Sequence, residues 1–477
     1  MVVRVGRRFR MVPRFLFCSL VGLAVIHCGS VPSGFASEAG RPPNIIFIMV
    51  DDLGYGDLGC YGQKVIRTPN IDRLAAEGMR FTDFYAGSTV CAPSRCVLMT
   101  GLHTGHCYIR GNGKVNIRPD DVTVAEVVKK SDYATGLCGK WGLGHEGSDG
   151  LPTRQGFDLF YGYLDQHHAH NYYPTFLIRN EQRVPLKNVV PREGGWGQGV
   201  ATKKVEYSHD LIMNEALQFV SDNKNKPFFL YLALTIPHAN NEAGNKGMEV
   251  PDLGIYAERD WPAPQKGHAA MITYMDRDIG RLATKLKQLG IDNDTLVMFT
   301  SDNGPHSEGG GKSVFFDSNG PLRGQKRDLY EGGIRVPLIA RWPGRVKAGS
   351  TSSHIGGFWD VLQTCGELAD AEPPSGLDGI SFAPTLLGKG NQQQHEYIYW
   401  EFFERGGKQA ARQGKWKAVL NFGKATELYD LSKDIGEKNN LATDHAGVVA
   451  KLEGYMKSAR TNSKLWKFPA AKKRGPK

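Results

Sequence analysis

Four common classes of protein are marked by features that this sequence has little of. Its 477 residues include eight cysteines, and no two form a Cys-x-x-Cys pair, which removes the usual zinc ribbons and fingers. Nor do they make the dense framework of a small disulfide-stapled domain. Beyond Ile26 no apolar run is long enough to cross a bilayer, so no membrane span is expected. The excess of positive charge is confined to the ends. The formal balance is +10, but Arg4, Arg7, Arg8, Arg10 and Arg14 all precede the first acid, Glu38. Lys472, Lys473, Arg474 and Lys477 close the chain. The body between is near neutral, which gives no case for nucleic acid as a partner. No internal repeat is visible.

The five N-terminal arginines lead into an apolar run, Phe15 to Ile26, followed by Gly34-Phe35-Ala36. This order reads as a secretory signal over 1–36, cut after Ala36, and predicts a periplasmic or secreted protein. His27 before Cys28 argues against a lipoprotein, and Arg7-Arg8-Arg10 matches a twin-arginine signal only weakly. The length predicts a large domain and a smaller one. They are placed at 37–379, the catalytic part, and 380–462, with a basic flexible tail over 463–477.

Ile45 to Val50, Phe228 to Leu234 and Thr295 to Thr300 are short runs, apolar on both faces as buried parallel strands are. Thr68 to Gly78 reads as a helix with Pro near its start and Gly past its end. His268 to Leu289 has helical spacing. Strands and helices in this order predict an α/β fold, a large mostly parallel sheet flanked by helices. After Gly379 the pattern changes. Tyr397 to Phe402, Lys415 to Leu420 and Glu427 to Leu431 read as antiparallel strands, closed by a helix from Ala446 to Ser458. Ligands of parallel sheets gather beyond the carboxyl ends of the strands. Asp51, Asp52, His238, Asp302 and Asn303 all sit at such ends, so they are expected to converge. Gly-rich loops at 139–150, 304–311 and 320–333 are long and irregular, a common property of functional loops.

Asp51, Asp52, Asp302 and Asn303 offer only oxygen. Either cluster alone is ordinary turn chemistry. Two of them, each following a buried strand, suit one hard cation, and Ca2+ better than Zn2+. Between them lies Cys91-Ala92-Pro93-Ser94-Arg95. A lone cysteine is usually structural, and this one gains meaning from its company.

That company is Asp51-Asp52-Leu53-Gly54, Leu98-Met99-Thr100-Gly101, Gly139-Lys140-Trp141, Pro237-His238, Ser301 to Gly304, Lys326, and Glu331 to Pro337. In this order the segments resemble the type I, formylglycine-dependent sulfatases of the alkaline-phosphatase-like superfamily. The resemblance covers nearly everything after the signal, and it implies a sulfuric ester hydrolase. It implies that a maturation enzyme oxidises Cys91 to formylglycine (3-oxoalanine). One hydroxyl of the hydrated aldehyde attacks sulfur, and the other expels sulfate. It implies a calcium shell of Asp51, Asp52, residue 91, Asp302 and Asn303. Arg95 supports the nucleophile, Lys140 and Lys326 clamp sulfate, and His238, aided by Lys326, protonates the departing alcohol. In one place the chain departs from the pattern. The frequent histidine two residues after the motif lysine is Gly142 here, and His145 is the nearest substitute for it. Leu102 also replaces a frequent arginine.

His167, His168, His170, Tyr172 and Tyr173 form a polar, aromatic cluster. His170, His306 and Arg323 are the expected substrate contacts, and by analogy to the family they favour a sulfated carbohydrate over an aryl sulfate. Two alternatives stand beside this reading. One is a phosphate or phosphonate ester hydrolase on the same fold. The other is a non-catalytic binder of sulfated glycans, against which the complete ligand set argues.

Overall fold

The computed structural model describes residues 41–468. The signal read over 1–36 and the end of the tail lie outside the described residues. The frame is a ten-stranded sheet. Its order is Ser350–Ser352, Met79–Phe81, Leu338–Arg341, Thr295–Ser301, Asn44–Val50, Phe228–Ala233, Ala134–Lys140, Leu159–Tyr163, Phe176–Arg179, Gln182–Pro185. The five middle strands, from Thr295–Ser301 to Leu159–Tyr163, are parallel. Antiparallel pairs appear only outside them.

The sequence of Asn44–Val50 explains its central place. Ile45, Phe47 and Met49 enter the core on one face, and Ile46, Ile48 and Val50 on the other. Full burial of such a side chain contributes about 1.5–3 kcal/mol. The helix Cys91–Thr100 covers the first face with Val97 and Met99, beside the helix Trp359–Leu368. The helix Ala263–Gln288 covers the second with Met271, Met275, Ile279 and Leu282. Among the described residues no helix is long and apolar enough to cross a membrane.

Several strands are not apparent in the sequence, and two of them have a clear reason. Ala134–Lys140 is interrupted by Gly136 and Gly139, which hides its hydropathy. Gly139 has φ +122, and a Cβ there would stand 1.9 Å from the Ala233 carbonyl oxygen, so the adjoining strand requires glycine. Lys408–Gln413 is built of helix formers, yet it pairs between Ile398–Phe402 and Trp416–Asn421. Pairing on both edges overrides local propensity there.

The four-stranded antiparallel sheet is completed by Glu427–Asp430 and backed by the helix Ala446–Ser458. Tyr399, Ala418 and Leu428 pack under that helix against Leu452 and Met456. Trp400, Phe402 and Val419 join the core of the large sheet instead. Charges cross the same seam. Lys417 Nζ lies 2.8 Å from Glu331 and 3.0 Å from Glu437, all fully buried. Arg335 reaches Glu331 and Asp83 at 3.0 Å each, and Arg412 reaches Asp83 at 2.9 Å. The segment Glu331 to Pro337 is therefore part of the seam.

Candidate active site

Strand register brings the first ligands together. Val50 pairs with Ser301, so Asp51 and Asp302 leave adjacent strands side by side. Asp302 N–H donates to the Val50 carbonyl at 2.9 Å, and Asp52 N–H donates to Asp302 Oδ1 at 3.1 Å. Asp52 has φ +64, an uncommon conformation for a residue with a side chain. Lys140 ends its own strand two places away and donates to Asp51 Oδ2 at 2.6 Å.

Cys91 opens its helix, with Sγ 3.5 Å from Asp51 Oδ1. Arg95, one turn on, lies 3.0 Å from Asp302 Oδ2 and 3.5 Å from Asp51 Oδ2, and donates to the Lys140 carbonyl at 2.8 Å. On the other side Lys326 Nζ is 2.7 Å from Asp52 Oδ2 and 3.1 Å from His238 Nε2. His238 Nδ1 is 2.7 Å from the Ala239 carbonyl oxygen. A carbonyl only accepts, so Nδ1 carries the proton and Nε2 of the neutral ring accepts from Lys326. All these side chains are buried.

Three carboxylates thus face Arg95, Lys140 and Lys326. Burial opposes ionisation of Asp51, yet Lys140 above all, with Arg95, holds its carboxyl well below the ordinary range. Burial and the Asp51 charge raise Asp302 to about 7. Burial, followed by the Lys326 charge, lowers His238 well below its ordinary value. Burial works against the Lys326 ammonium, but Asp52 and the groups around it raise that lysine overall. Burial and Asp51 push the Cys91 thiol far up. As encoded, Cys91 is a neutral thiol and a poor nucleophile.

Asn303 donates through Nδ2 to Asp52 Oδ1 at 2.7 Å, while its own Oδ1 is buried with no partner. An unpaired acceptor beside three carboxylates fits a hard cation. Donor atoms of Asp51, Asp52, Cys91 and His238 lie within 4.8 Å of one another. His238 thus enters the tight group, while Asp302 turns one oxygen to Arg95.

The remaining sequence candidates divide. His170 and His306 lie nearly parallel to the His238 ring, with centroids at 4.9 and 5.7 Å. Arg323 is a correction. It lies 3.8 Å from the Tyr330 ring centroid and donates to Tyr429 Oη and the Glu437 carbonyl, so it anchors a loop to the small sheet. His145 bonds Asn116 and Asp165 and makes no hydrogen bond to the cluster. Gly142 has φ +77, and a Cβ there would lie 3.4 Å from Gln166 Cγ and 3.6 Å from Arg95 Cδ. Three rim residues escape sequence reasoning. Glu242 lies 3.2 Å from His170 Nδ1, and Glu308 lies 3.6 Å from Lys326. Arg327, at φ +75, reaches Glu308 at 2.5 Å and Glu404 at 3.3 Å. Glu242 lies in the short 3-10 helix Asn241–Lys246 and the other two in loops, and only the fold brings them here.

The family model described as Sulfatase matches residues 43–371, and that of N-sulphoglucosamine sulphohydrolase, C-terminal, matches 324–462. Arylsulfatase A of Homo sapiens is 34% identical over 466 residues, covering 86% of each chain. N-acetylgalactosamine-6-O-sulfatase of Bacteroides thetaiotaomicron is 30% identical, covering 93% of this chain and 98% of its own. Among solved structures, Ps i-CgsB in complex with k-i-k-neocarrahexaose matches with a TM-score of 0.75 at 29% identity, covering 88% of this chain and 92% of its own. The phosphonate monoester hydrolase of Agrobacterium radiobacter, at 20% identity and a TM-score of 0.63, shares the fold, covering 87% of this chain and 95% of its own.

Proposed function

The chain belongs to the sulfatase family, on the alkaline-phosphatase-like fold, and hydrolyses sulfuric esters; from that premise we propose that its substrate is a sulfated carbohydrate, cleaved with a formylglycine derived from Cys91 and a bound calcium ion. The observation that carries the proposal is the placing of Cys91. Its thiol is buried, un-ionised and surrounded by Asp51, Lys140 and Lys326, a poor setting for thiolate attack and a good one for a hydroxyl beside a cation. Formylglycine would supply a hydrated aldehyde there, with one hydroxyl to attack and a second to assist release. Calcium, held by Asp51, Asp52, Asp302 and Asn303, would polarise the ester and acidify a hydroxyl.

The chain's own residues divide the remaining work. Arg95 fixes Asp51 and Asp302 in place and presents fixed positive charge to the head of the Cys91 helix. Lys140 and Lys326 stand where anionic oxygens would gather. Lys326 also holds the His238 lone pair, so the two form one proton-delivering unit, aimed by the Ala239 carbonyl. Burial of the cluster strengthens each of these interactions. The rim favours a sugar. His170 and His306 flank His238, and Glu242 and Glu308 add acceptors for hydroxyl groups. Relatives named for N-acetylgalactosamine-6-sulfate and a neighbour solved with a neocarrahexaose support the same choice. Export, with removal of 1–36, and the division at 379 are part of the proposal and rest on sequence alone, whereas the first residues of the expected flexible tail pack on the body, with Trp466 Nε1 donating to the Tyr108 carbonyl at 2.8 Å and Phe468 stacked on Phe403 and Phe422.

The test compares 4-nitrophenyl sulfate, 4-nitrophenyl phosphate and a panel of sulfated sugars, with protein made with and without a maturation enzyme. Sulfate turnover should depend on maturation and exceed phosphate turnover. A preference for phosphate, or none for sugars, would refute the corresponding part.

A further inference from the structure

We infer that the enzyme takes its sulfated sugar as part of a longer chain, and that the neighbouring sugar unit lies in a cleft walled by Trp196. This rests on the carbohydrate reading above and extends it from a sugar to an oligosaccharide. The cleft is lined by Trp196, His145, Leu164 and His168 among others. It adjoins the catalytic cluster. Gly142 N–H donates to the Leu164 carbonyl at 3.0 Å, and Gly142 itself stands against Arg95. Asp165 joins the two places, with one oxygen 3.2 Å from His145 Nε2 and the other 3.2 Å from His167 Nδ1. The His167 ring lies 5.6 Å from that of His170, which stacks on His238.

Two features suit a sugar. The first is an aromatic wall over an apolar floor. The apolar face of a pyranose packs on an indole, and Trp196 is fixed by its neighbours. Lys114 Nζ lies 4.8 Å from its ring centroid, and the His145 ring lies 5.0 Å from it. Leu164 and Ile178 supply the buried floor. The second is a neutral mouth. Arg183 pairs with Glu146 through two bonds, at 2.8 and 2.7 Å. The mouth offers donors and acceptors without net charge, which fits hydroxyl groups better than a second sulfate. The cleft is about 60 Å3, room for about four waters at most. It would take an arm of the sugar, such as a hydroxymethyl or acetamido group, while the ring lies along Trp196.

The test uses a sulfated tetrasaccharide and its monosaccharide unit from the same polymer. One series comes from carrageenan, and the other contains N-acetylgalactosamine 6-sulfate. In at least one series the matured wild type should prefer the tetrasaccharide in kcat/KM by about tenfold or more, the worth of one aromatic face. Trp196→Ala should erase that preference through KM, and Trp196→Phe should retain most of it. Melting curves separate these effects from misfolding. Calorimetry of the desulfated tetrasaccharide on unprocessed protein gives a second readout, with about tenfold weaker binding in Trp196→Ala. Equal treatment of tetrasaccharide and monosaccharide in both series overturns the inference. So does a preference that survives Trp196→Ala. Turnover of 4-nitrophenyl sulfate with neither series accepted also counts against it. No turnover of any sulfate by matured protein overturns the underlying sulfatase reading as well, so the two failures are distinct.

Discussion

The catalytic cluster and the seam beneath the small sheet are built from the same ingredients. In the first, Asp51, Asp52 and Asp302 face Arg95, Lys140 and Lys326. In the second, Asp83, Glu331 and Glu437 face Lys417, Arg335 and Arg412. Both are buried, and charge count does not tell them apart. The seam binds two sheets, with Lys417 and Arg412 on one side and Glu331, Arg335 and Asp83 on the other. Its charges pair with each other, although Glu437 Oε1, 3.0 Å from Lys417 Nζ, makes no hydrogen bond. The catalytic cluster lies at the open ends of parallel strands, and it keeps Asn303 Oδ1 and Arg95 Nε unpaired. What separates them is place, since one network closes the open ends of parallel strands and the other joins two sheets.

Four changes should break or sharpen that contrast. Cys91→Ala should lower sulfate turnover by about a thousandfold or more while shifting the melting temperature little, because the cluster's charges stay matched. Turnover near wild type would remove Cys91 from the chemistry. Lys417→Met, in the seam, should do the reverse. It removes the cation that Glu437 faces and one of the two that Glu331 faces, and should cost about 3–5 kcal/mol of stability by denaturant titration. The protein that stays folded should keep its kcat.

Chelation of calcium should lower the melting temperature of the wild type, since a ligand bound only by the folded state stabilises it. Asn303→Ala should show a smaller drop. An equal drop in both proteins would place the ion elsewhere. The smallest effect concerns pH. Burial raises Glu437 to about 7 despite Lys417, so the folded state keeps a proton that the unfolded chain has released. This group favours folding most below about pH 4.5, and that contribution is lost as pH rises towards 7. Glu437→Gln should therefore become more stable relative to wild type across that interval, by melting at each pH. A difference that stays flat with pH would show that Glu437 is ionised in the fold.

Much of this was legible in the sequence, for physical reasons. Asn44–Val50, Phe228–Ala233 and Thr295–Ser301 are apolar on both faces, and nothing but a central strand accommodates that. Their ends therefore located Asp51, Asp52, His238, Asp302 and Asn303. Ala134–Lys140 and Lys408–Gln413 were hidden, because glycine packing and edge pairing decided them rather than hydropathy. The rim was read in part. His170 and His306 lie beside motif residues and do reach His238. Arg323 lies as close in sequence to Lys326, but the small sheet captures it through Tyr429. Glu242, Glu308 and Arg327 carry no local signal, since only the fold brings them to the site.

The central claim is that Cys91 is a precursor and not a working thiol. Mass spectrometry of the peptide carrying residue 91, from active protein, tests it most directly. The account predicts a peptide in which sulfur and two hydrogens have been exchanged for one oxygen, with turnover proportional to the fraction converted. Full sulfatase activity with an intact thiol at residue 91 would contradict it.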